Sequence, residues 1–472
     1  MSTIDMLESY VKSKTSSLSN FPIIVKKGIN TISGEAPFKL KLAIVLSELV
    51  TLSSHLRKPI VLFDGTLVPT NAITFALCGS GEGKDKAVNA VRKSLKEAYY
   101  KLEEKRKEYA EEKAKNDAII HGESREDWQK YYSAPKPLQA GLGTVEGLTS
   151  HFASIESNPL GAGSIMSTEI GSELQTNGSI MEIFKVISVA YDLGAIAAKI
   201  IKSSENQTAS ILSLPVNALL FGSQEALLFN NDVKSKFKLV FNTQLARRSI
   251  FSFTPGTSPR KQINSVEELY KIREKERDRV VASQEELNNF TSNLVDVTNQ
   301  EPLTVSKDAN KLFDVYMEYN SMKSDELSNK YPISKLSRRH KQWLALKLAG
   351  SYAILNHEDH VSEQTYAYAI NTVEFLSDDL KLFEIELIKE PYEQLADLCA
   401  TNAEDGKFTM SLHDLRKMGY ITGTGSSKNK ILDLATLVNS YDQEASYTGN
   451  PDSISYQQTM KTDVIGVSYI IF

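Results

Sequence analysis

The chain contains little cysteine, because only Cys78 and Cys399 occur among its 472 residues. The two lie far apart in sequence and lack the close spacing of metal-binding cysteines. This content argues against a disulfide framework and against a zinc site, and it fits a reducing, cytoplasmic setting.

Long apolar runs and a net basic charge are also missing. No stretch approaches the roughly eighteen uncharged apolar residues of a membrane-spanning helix, and the first residues, MSTIDMLESYVKSK, do not form a secretory signal. We therefore expect no membrane contact. The formal net charge is −5, so any contact with nucleic acid depends on local basic patches.

What the sequence does contain is typical of a folded, multi-domain chain. Hydrophobic residues make up 41% and charged residues 24%, both close to the globular average. Strand-like runs occur at residues 60–63, 72–77, 163–168, 217–223 and 249–254, with a hairpin-like segment at 197–214. Helical patterns occur at 37–56, 86–116, 181–194 and 337–355. Strands interleaved with helices predict an α/β domain with a mostly parallel central sheet.

One glycine-rich stretch has the pattern of a ligand-binding loop. Residues 75–86 read FALCGSGEGKDK, which places a glycine turn between a buried strand and a long helix. Backbone N–H groups of such a turn and the N-terminus of the next helix surround a phosphate. We expect a nucleotide site here, although a chance glycine turn is the alternative. The expected contacts are Gly79, Ser80, Gly81, Glu82, Gly83, Lys84, Asp85 and Lys86.

Two positions depart from the usual phosphate-loop pattern. Cys78 stands where glycine is usual, and Asp85 replaces the Ser or Thr whose hydroxyl meets Mg²⁺. A carboxylate is a good hard ligand for Mg²⁺, and its charge is favoured in the first turn of a helix. We therefore expect Asp85 to serve the metal, directly or through water.

Acidic and polar residues follow two later strands. Glu169 comes directly after GSIMST and is a candidate to orient the attacking water and to bind the metal together with Asp85. The alternative is that Glu169 is simply an acidic residue at the start of a helix. The preceding position, where a metal-side aspartate is usual, holds Thr168. Gln224 follows the strand NALLFGS and is a candidate to reach the γ-phosphate, with turn polarity as the alternative.

Basic residues offer two further candidates. Arg247 and Arg248 stand just before a strand, where they are placed to act as an arginine finger in a neighbouring subunit, or they belong to a surface basic patch. Lys199 and Lys202 lie on the hairpin-like segment and are candidates to bind the phosphates of single-stranded DNA, or they are ordinary exposed lysines.

The order of these parts resembles the ATPase module of phage and prophage primase-helicase proteins, related to superfamily-three and other replicative hexameric helicases. The resemblance covers about residues 60–355 and rests on strand-GSGEGKD-helix, IMSTEIGSEL, LPVNALLFGSQEAL and LARRSIFSFTP. It implies that Lys84 contacts the β and γ phosphates of ATP, that Asp85 holds Mg²⁺ and that Glu169 serves the attacking water. Gln224 would be a polar sensor, and Arg247 or Arg248 the finger in trans.

The fold class that follows is α/β, with a P-loop NTPase (AAA+/RecA-like) core. We expect a helical N-terminal segment at 1–58, the ATPase core at 59–262, a helical lid region at 263–388 and a winged-helix-like C-terminal domain at 389–472. Domains of that kind bind duplex DNA or protein, so we expect DNA binding, protein docking or packing from this one. The basic run SKLSRRHKQW (334–343) is either a lid helix that reaches phosphate or plain surface charge.

The leading functional prediction is an ATP-driven DNA helicase of phage type, with nucleotide bound between the subunits of a ring, expected to be a hexamer. Its partners would be single-stranded DNA and other replication proteins such as primase and polymerase, in the host cytoplasm if the protein is viral. A helicase loader or replication-initiation scaffold without unwinding activity is the alternative. A DNA-packaging or recombination ATPase would use most of the same residues.

Overall fold

The structure is a computed structural model that describes residues 2–34, 36–79, 81–197, 210–228, 230–254, 265–296, 301–418, 420–421, 427–442 and 445–458. The chain divides into two compact units. The first comprises Met1–Gln224 and Phe237–Glu384, and the second comprises Glu225–Lys236 and Ile385–Phe472. The finer division into four segments stays a prediction.

The chain begins with helices followed by a short hairpin. Their bounds are α1 Thr3–Thr15, α2 Ile23–Asn30, α3 Phe38–Ser54, β1 Ile60–Val61 and β2 Leu67–Val68. The apolar helix predicted at 37–56 is α3, which packs against strands of the central sheet and is buried almost all round. A helix with apolar residues on every face is typical of a position inside a core.

A parallel sheet and its connecting helices follow. Their bounds are β3 Ile73–Cys78, α4 Lys84–Ser94, α5 Lys96–Ile120, β4 Gln139–Ala140, α6 Val145–Glu156, β5 Gly163–Ser167, α7 Ile170–Thr176, α8 Ile180–Leu193, β6 Val216–Ser223, α9 Gln224–Leu228, α10 Asn231–Val240 and β7 Ser249–Phe253. The five strands run parallel in the order β4-β5-β6-β3-β7. The predicted mixed α/β class with a parallel sheet is thus confirmed.

Strand β3 lies inside this sheet, between β6 and the edge strand β7. Ile73 pairs with Ala218 of β6 on one side and with Ser249 of β7 on the other, and every residue of β3 is buried. A strand covered on both faces reads as a continuous apolar run rather than an alternating one, which is why ITFALC was recognisable from sequence. The helix predicted at 86–116 is two helices, because the chain bends at the buried Leu95 between α4 and α5.

The rest of the first unit is mainly helical. It contains α11 Val266–Thr291, β8 Thr304–Val305, α12 Lys307–Glu326, α13 Pro332–Arg338, α14 Lys341–Leu355, β9 His360–Val361 and most of α15 Glu363–Ile388, up to Glu384. The single helix predicted at 337–355 is divided, since α13 ends at Arg338 and α14 begins at Lys341. Every residue of α14 except the half-buried Trp343 is buried.

The second unit has its own small core around an antiparallel sheet. Its elements are α16 Pro391–Asn402, β10 Lys407–Ser411, α17 Leu412–Lys417, α18 Ser427–Tyr441, β11 Ala445–Asn450 and β12 Ser453–Gln458. The sheet order is β10-β12-β11, and Leu395, Ile431, Val438 and Ile454 meet in the core. The strand predicted at 464–472 lies outside the described residues. Over the described parts of both units, no helix combines the length and apolar character that crossing a bilayer requires.

Candidate functional site

The glycine turn after β3 has the backbone of an anion-binding loop. Gly81 and Gly83 have φ angles of 83° and 78°, in the left-handed region that residues with a side chain avoid. A Cβ atom built at either position would meet nothing within 4 Å, so the turn faces open space. Gly83 precedes α4 without a side-chain cap, which leaves N–H groups of the first helical turn for an external acceptor.

Of the residues predicted to contact a nucleotide, seven lie in the described chain and Ser80 lies outside it. Glu82 and Lys84 are half-buried, whereas Asp85 and Lys86 are exposed on the first turn of α4. An exposed carboxylate beside an open loop is available to a cation that arrives with a phosphate. Cys78, where glycine was expected, is buried at the end of β3.

Lys84 joins this turn to the end of β5. Its Nζ donates a hydrogen bond to the carbonyl oxygen of Thr168 at 2.5 Å and lies 3.7 Å from Oε2 of Glu169. The same ammonium lies 5.8 Å from the centre of the Phe221 ring. Two residues that are 85 positions apart in the numbering, Lys84 and Glu169, therefore form one charged pair at the sheet edge.

Glu169 is held by contacts on its other carboxylate oxygen. Oε1 accepts hydrogen bonds from the N–H of Gly171 at 3.3 Å and from the N–H of Ser223 at 3.2 Å. The contact with Gly171 makes Glu169 the N-cap of α7. The alternative that Glu169 only starts a helix therefore explains the contacts of Oε1. The second oxygen faces Lys84, and the side chain is thereby oriented as well as charged.

These residues meet where the connections of the sheet reverse direction. From β3 the chain crosses to the far edge at β4 and then steps back through β5 and β6. Right-handed crossovers place the connections after β3 and after β6 on opposite faces of the sheet. Cys78 and Ser223 are paired at the carboxyl ends of β3 and β6, with Gln224 next in sequence. Open α/β sheets bind ligands in the crevice at such a point.

The described residues contain no group of three or more His, Cys, Asp or Glu side chains that could hold a metal ion. Mg²⁺ usually takes one or two carboxylates together with phosphate oxygens and water rather than a full protein cage. Asp85, on the helix that follows the loop, and Glu169, after the end of β5, suit that kind of ligand set.

Arg247 and Arg248 lie at the amino ends of the strands, opposite the end of the sheet that carries the glycine turn. They directly precede β7, so they stand at the amino ends of parallel strands whose carboxyl ends carry the glycine turn. Arg248 is almost fully buried and donates from Nε and a terminal nitrogen to the two carboxylate oxygens of Asp192, at 3.0 and 2.5 Å. Arg247 is half-buried; its burial, followed by the charge of Arg248, lowers its pKa.

The remaining basic candidates divide into two groups. Lys199 and Lys202 lie outside the described residues, but Ile196 and Ile211 exchange backbone hydrogen bonds of 2.8 and 2.9 Å and close the base of that segment. The basic run at 334–343 is largely paired within the chain. Arg338 and Lys341 both contact Glu374, at 2.8 and 3.2 Å. These contacts anchor the run to α15.

Sequence patterns did not reveal Asp192 or the carbonyl group of Thr168. Asp192 stands near the end of α8 in the run YDLG, with no motif around it, and meets an arginine 56 positions later. A backbone carbonyl has no sequence signature at all. Both contacts follow from how the strands are ordered, which local patterns do not encode.

Comparisons with known proteins do not supply a family for this geometry, because no protein-family model matches the chain and no curated protein matches it.

Proposed function

We propose that this chain is a P-loop NTPase with an AAA+/RecA-like core, and that it hydrolyses ATP as a replicative DNA helicase of phage type. The observation that carries the proposal is the pair of Lys84 and Glu169. In this pair a cation from the glycine turn after β3 meets a carboxylate from the end of β5, at the crevice where a triphosphate would bind.

The residues of this crevice fit a nucleoside triphosphate. Left-handed Gly81 and Gly83 leave N–H groups and open space for phosphate oxygens, and Lys84 supplies the charge for the β and γ phosphates. Glu169 orients the attacking water, and Gln224 senses the γ-phosphate. A bound Mg²⁺ would neutralise phosphate charge, and Asp85 with Glu169 would hold it.

The position of the arginines supports a nucleotide shared between subunits. Because Arg247 and Arg248 stand at the amino edge of the sheet, a chain cannot readily direct them to its own glycine turn. A neighbouring copy in a ring can receive them, which is the role of a finger in trans. Arg248 is held by Asp192, so we assign the direct contact to Arg247 and a positioning role to Arg248. Lys199 and Lys202 would track single-stranded DNA in a hexamer.

An adaptor without unwinding activity, such as a helicase loader or initiation scaffold, is favoured by one observation in the second unit. Residues 389–458 contain six basic and ten acidic side chains, a net charge of −4. On α18 the exposed apolar residues are Leu432, Leu437 and Tyr441. This charge opposes contact with DNA phosphates, whereas exposed apolar side chains suit a protein partner.

The first experiment measures ATP hydrolysis with and without single-stranded DNA for the wild type, Lys84→Ala and Arg247→Ala. Lys93→Ala is the matched control, because Lys93 is exposed on the same helix as Lys84. We expect both site variants to lose hydrolysis and the control to keep it. A rate indifferent to DNA and to both substitutions would exclude the motor.

A mixing experiment tests the shared site. Lys84→Ala subunits retain the arginines and Arg247→Ala subunits retain the glycine turn, so mixed rings contain some complete sites. We expect the mixture to hydrolyse ATP although each variant alone does not. Absence of recovery in a preparation that forms mixed oligomers would refute the trans arrangement. Strand displacement on a forked duplex then separates the helicase from the adaptor, which would show none.

A further inference from the structure

A second cavity lies at the amino edge of the sheet, away from the glycine turn. It has a volume of about 270 Å³ and is bounded by the β1–β2 hairpin, the end of α8, the residues before β7 and the first turns of α14. An apolar cavity of about 150 Å³ is large enough for benzene. The space here therefore accommodates an aromatic ring together with a short polar substituent.

The walls of this cavity are mainly apolar and include two aromatic side chains. Trp343 is half-buried and packs edge-on against Phe313, with ring centres 5.0 Å apart. Tyr191 is 3% exposed, and its buried hydroxyl has no hydrogen-bond partner in the part of the chain that the structure describes.

Most of the charge around the cavity is already paired. Arg248 is bound by both oxygens of Asp192. Lys347 is buried and donates to the carbonyl oxygens of Pro69 and Tyr191 and to Oδ1 of Asn71, at 2.8, 2.7 and 2.7 Å.

Arg247 is the exception. Over the described residues it makes no side-chain hydrogen bond and no ion pair, although it is half-buried. Burial also lowers the pKa of His340 at the same cavity, which reduces its contribution of positive charge. An unpaired, partly desolvated guanidinium beside an aromatic wall is suited to a carboxylate or phosphate attached to a flat apolar group.

We propose that this cavity binds a small aromatic anion, with its acidic group on Arg247 and its ring against Trp343. The site is separate from the glycine turn, and its occupancy does not depend on whether the chain hydrolyses ATP. An anion held there engages Arg247 and would compete with any other use of that side chain.

The test uses 3-phenylpropanoate and its uncharged counterpart 3-phenylpropanol as probes, with phenyl phosphate to distinguish the two acidic groups. The chain contains two tryptophans, so Trp128→Phe leaves Trp343 as the only indole reporter. We expect saturable quenching or shift of Trp343 emission, with the anion binding about tenfold or more tighter than the alcohol. No change at millimolar probe, or equal affinity for both probes, overturns the proposal.

Variants assign the recognition to Arg247. In the Trp128→Phe background, Arg247→Gln should reduce the affinity for 3-phenylpropanoate to that for the alcohol, whereas Arg339→Gln, which alters an exposed arginine paired with Asp325, should not. Leu193→Glu at the exposed rim should also weaken binding of the anion more than binding of the alcohol, because the added carboxylate repels the anion. Leu193 is exposed, so the substitution does not disturb the core. Unchanged anion preference in Arg247→Gln and Leu193→Glu, with both variants folded, would show that charge recognition lies elsewhere.

Discussion

Alanine in place of Gly83 adds one methyl group to the backbone that the nucleotide proposal depends on. Gly83 has a φ of 78°, and no atom lies within 4 Å of the added Cβ. The substitution therefore creates no clash within the protein. Its effect comes from the left-handed backbone alone, which costs a residue with a Cβ about 1–2 kcal/mol relative to glycine.

If the loop relaxes out of the binding conformation, this strain lowers the affinity for nucleotide. A cost of about 1–2 kcal/mol lowers the fraction of loops in the competent conformation roughly 5- to 30-fold, and the apparent Kd rises by the same factor. If the loop cannot relax, the same cost appears as a lower free energy of unfolding. We expect the first result, since the turn faces open space at Gly81 and Gly83.

Gly65 provides the matched control. It lies in the turn between β1 and β2 with a φ of 83° and equally open space at its Cβ position. Gly65→Ala should therefore impose the same backbone strain without changing nucleotide affinity. The measurements are nucleotide binding by calorimetry in the presence of Mg²⁺ and urea unfolding of each variant. If Gly83→Ala binds ATP as tightly as Gly65→Ala does and also keeps the unfolding free energy of the wild type, the turn is not the phosphate site.

Three further predictions concern other parts of the chain. Glu169→Gln should retain ATP binding but lower the hydrolysis rate about 10²- to 10⁴-fold, measured by phosphate release. Gly194→Ala should destabilise the fold more than Gly65→Ala by about 1–3 kcal/mol in urea unfolding, because its Cβ would lie 2.9 Å from the backbone oxygen of Leu214. Burial would raise the pKa of Glu374, but Lys341 and its neighbours hold that pKa at about 2, below its ordinary value of 4.5. The resulting stability is complete above about pH 4.5 and is lost as the pH falls toward 2, so the stability difference between wild type and Glu374→Gln should shrink over that window.

The strands of the sheet were largely predictable because each is a buried apolar run. The exception is β4, which consists only of Gln139 and Ala140 and is too short and polar for a pattern to reveal. The helix breaks at Leu95 and between Arg338 and Lys341 were also missed, since neither contains glycine or proline. Strand order was not readable from the sequence, because pairing between distant segments depends on packing rather than on local preference.

Single residues of the candidate site were predictable from the sequence, but the contacts between them were not. The glycine turn and Glu169 stood out because loops at strand ends favour such residues. That the ammonium of Lys84 would contact the carbonyl of Thr168, and that Asp192 would bind Arg248, required the folded sheet.

The position of β3 in the sheet also affects how the protein is made. Its partners begin at residues 216 and 249, so a ribosome adding about 5–20 residues per second leaves this apolar segment without neighbours for roughly 7 to 30 seconds. A nascent chain that stalls before β7 would expose one side of β3 as an unpaired edge, which promotes aggregation. Expression at reduced temperature or with added chaperone should therefore raise the soluble yield chiefly by protecting residues 73–78.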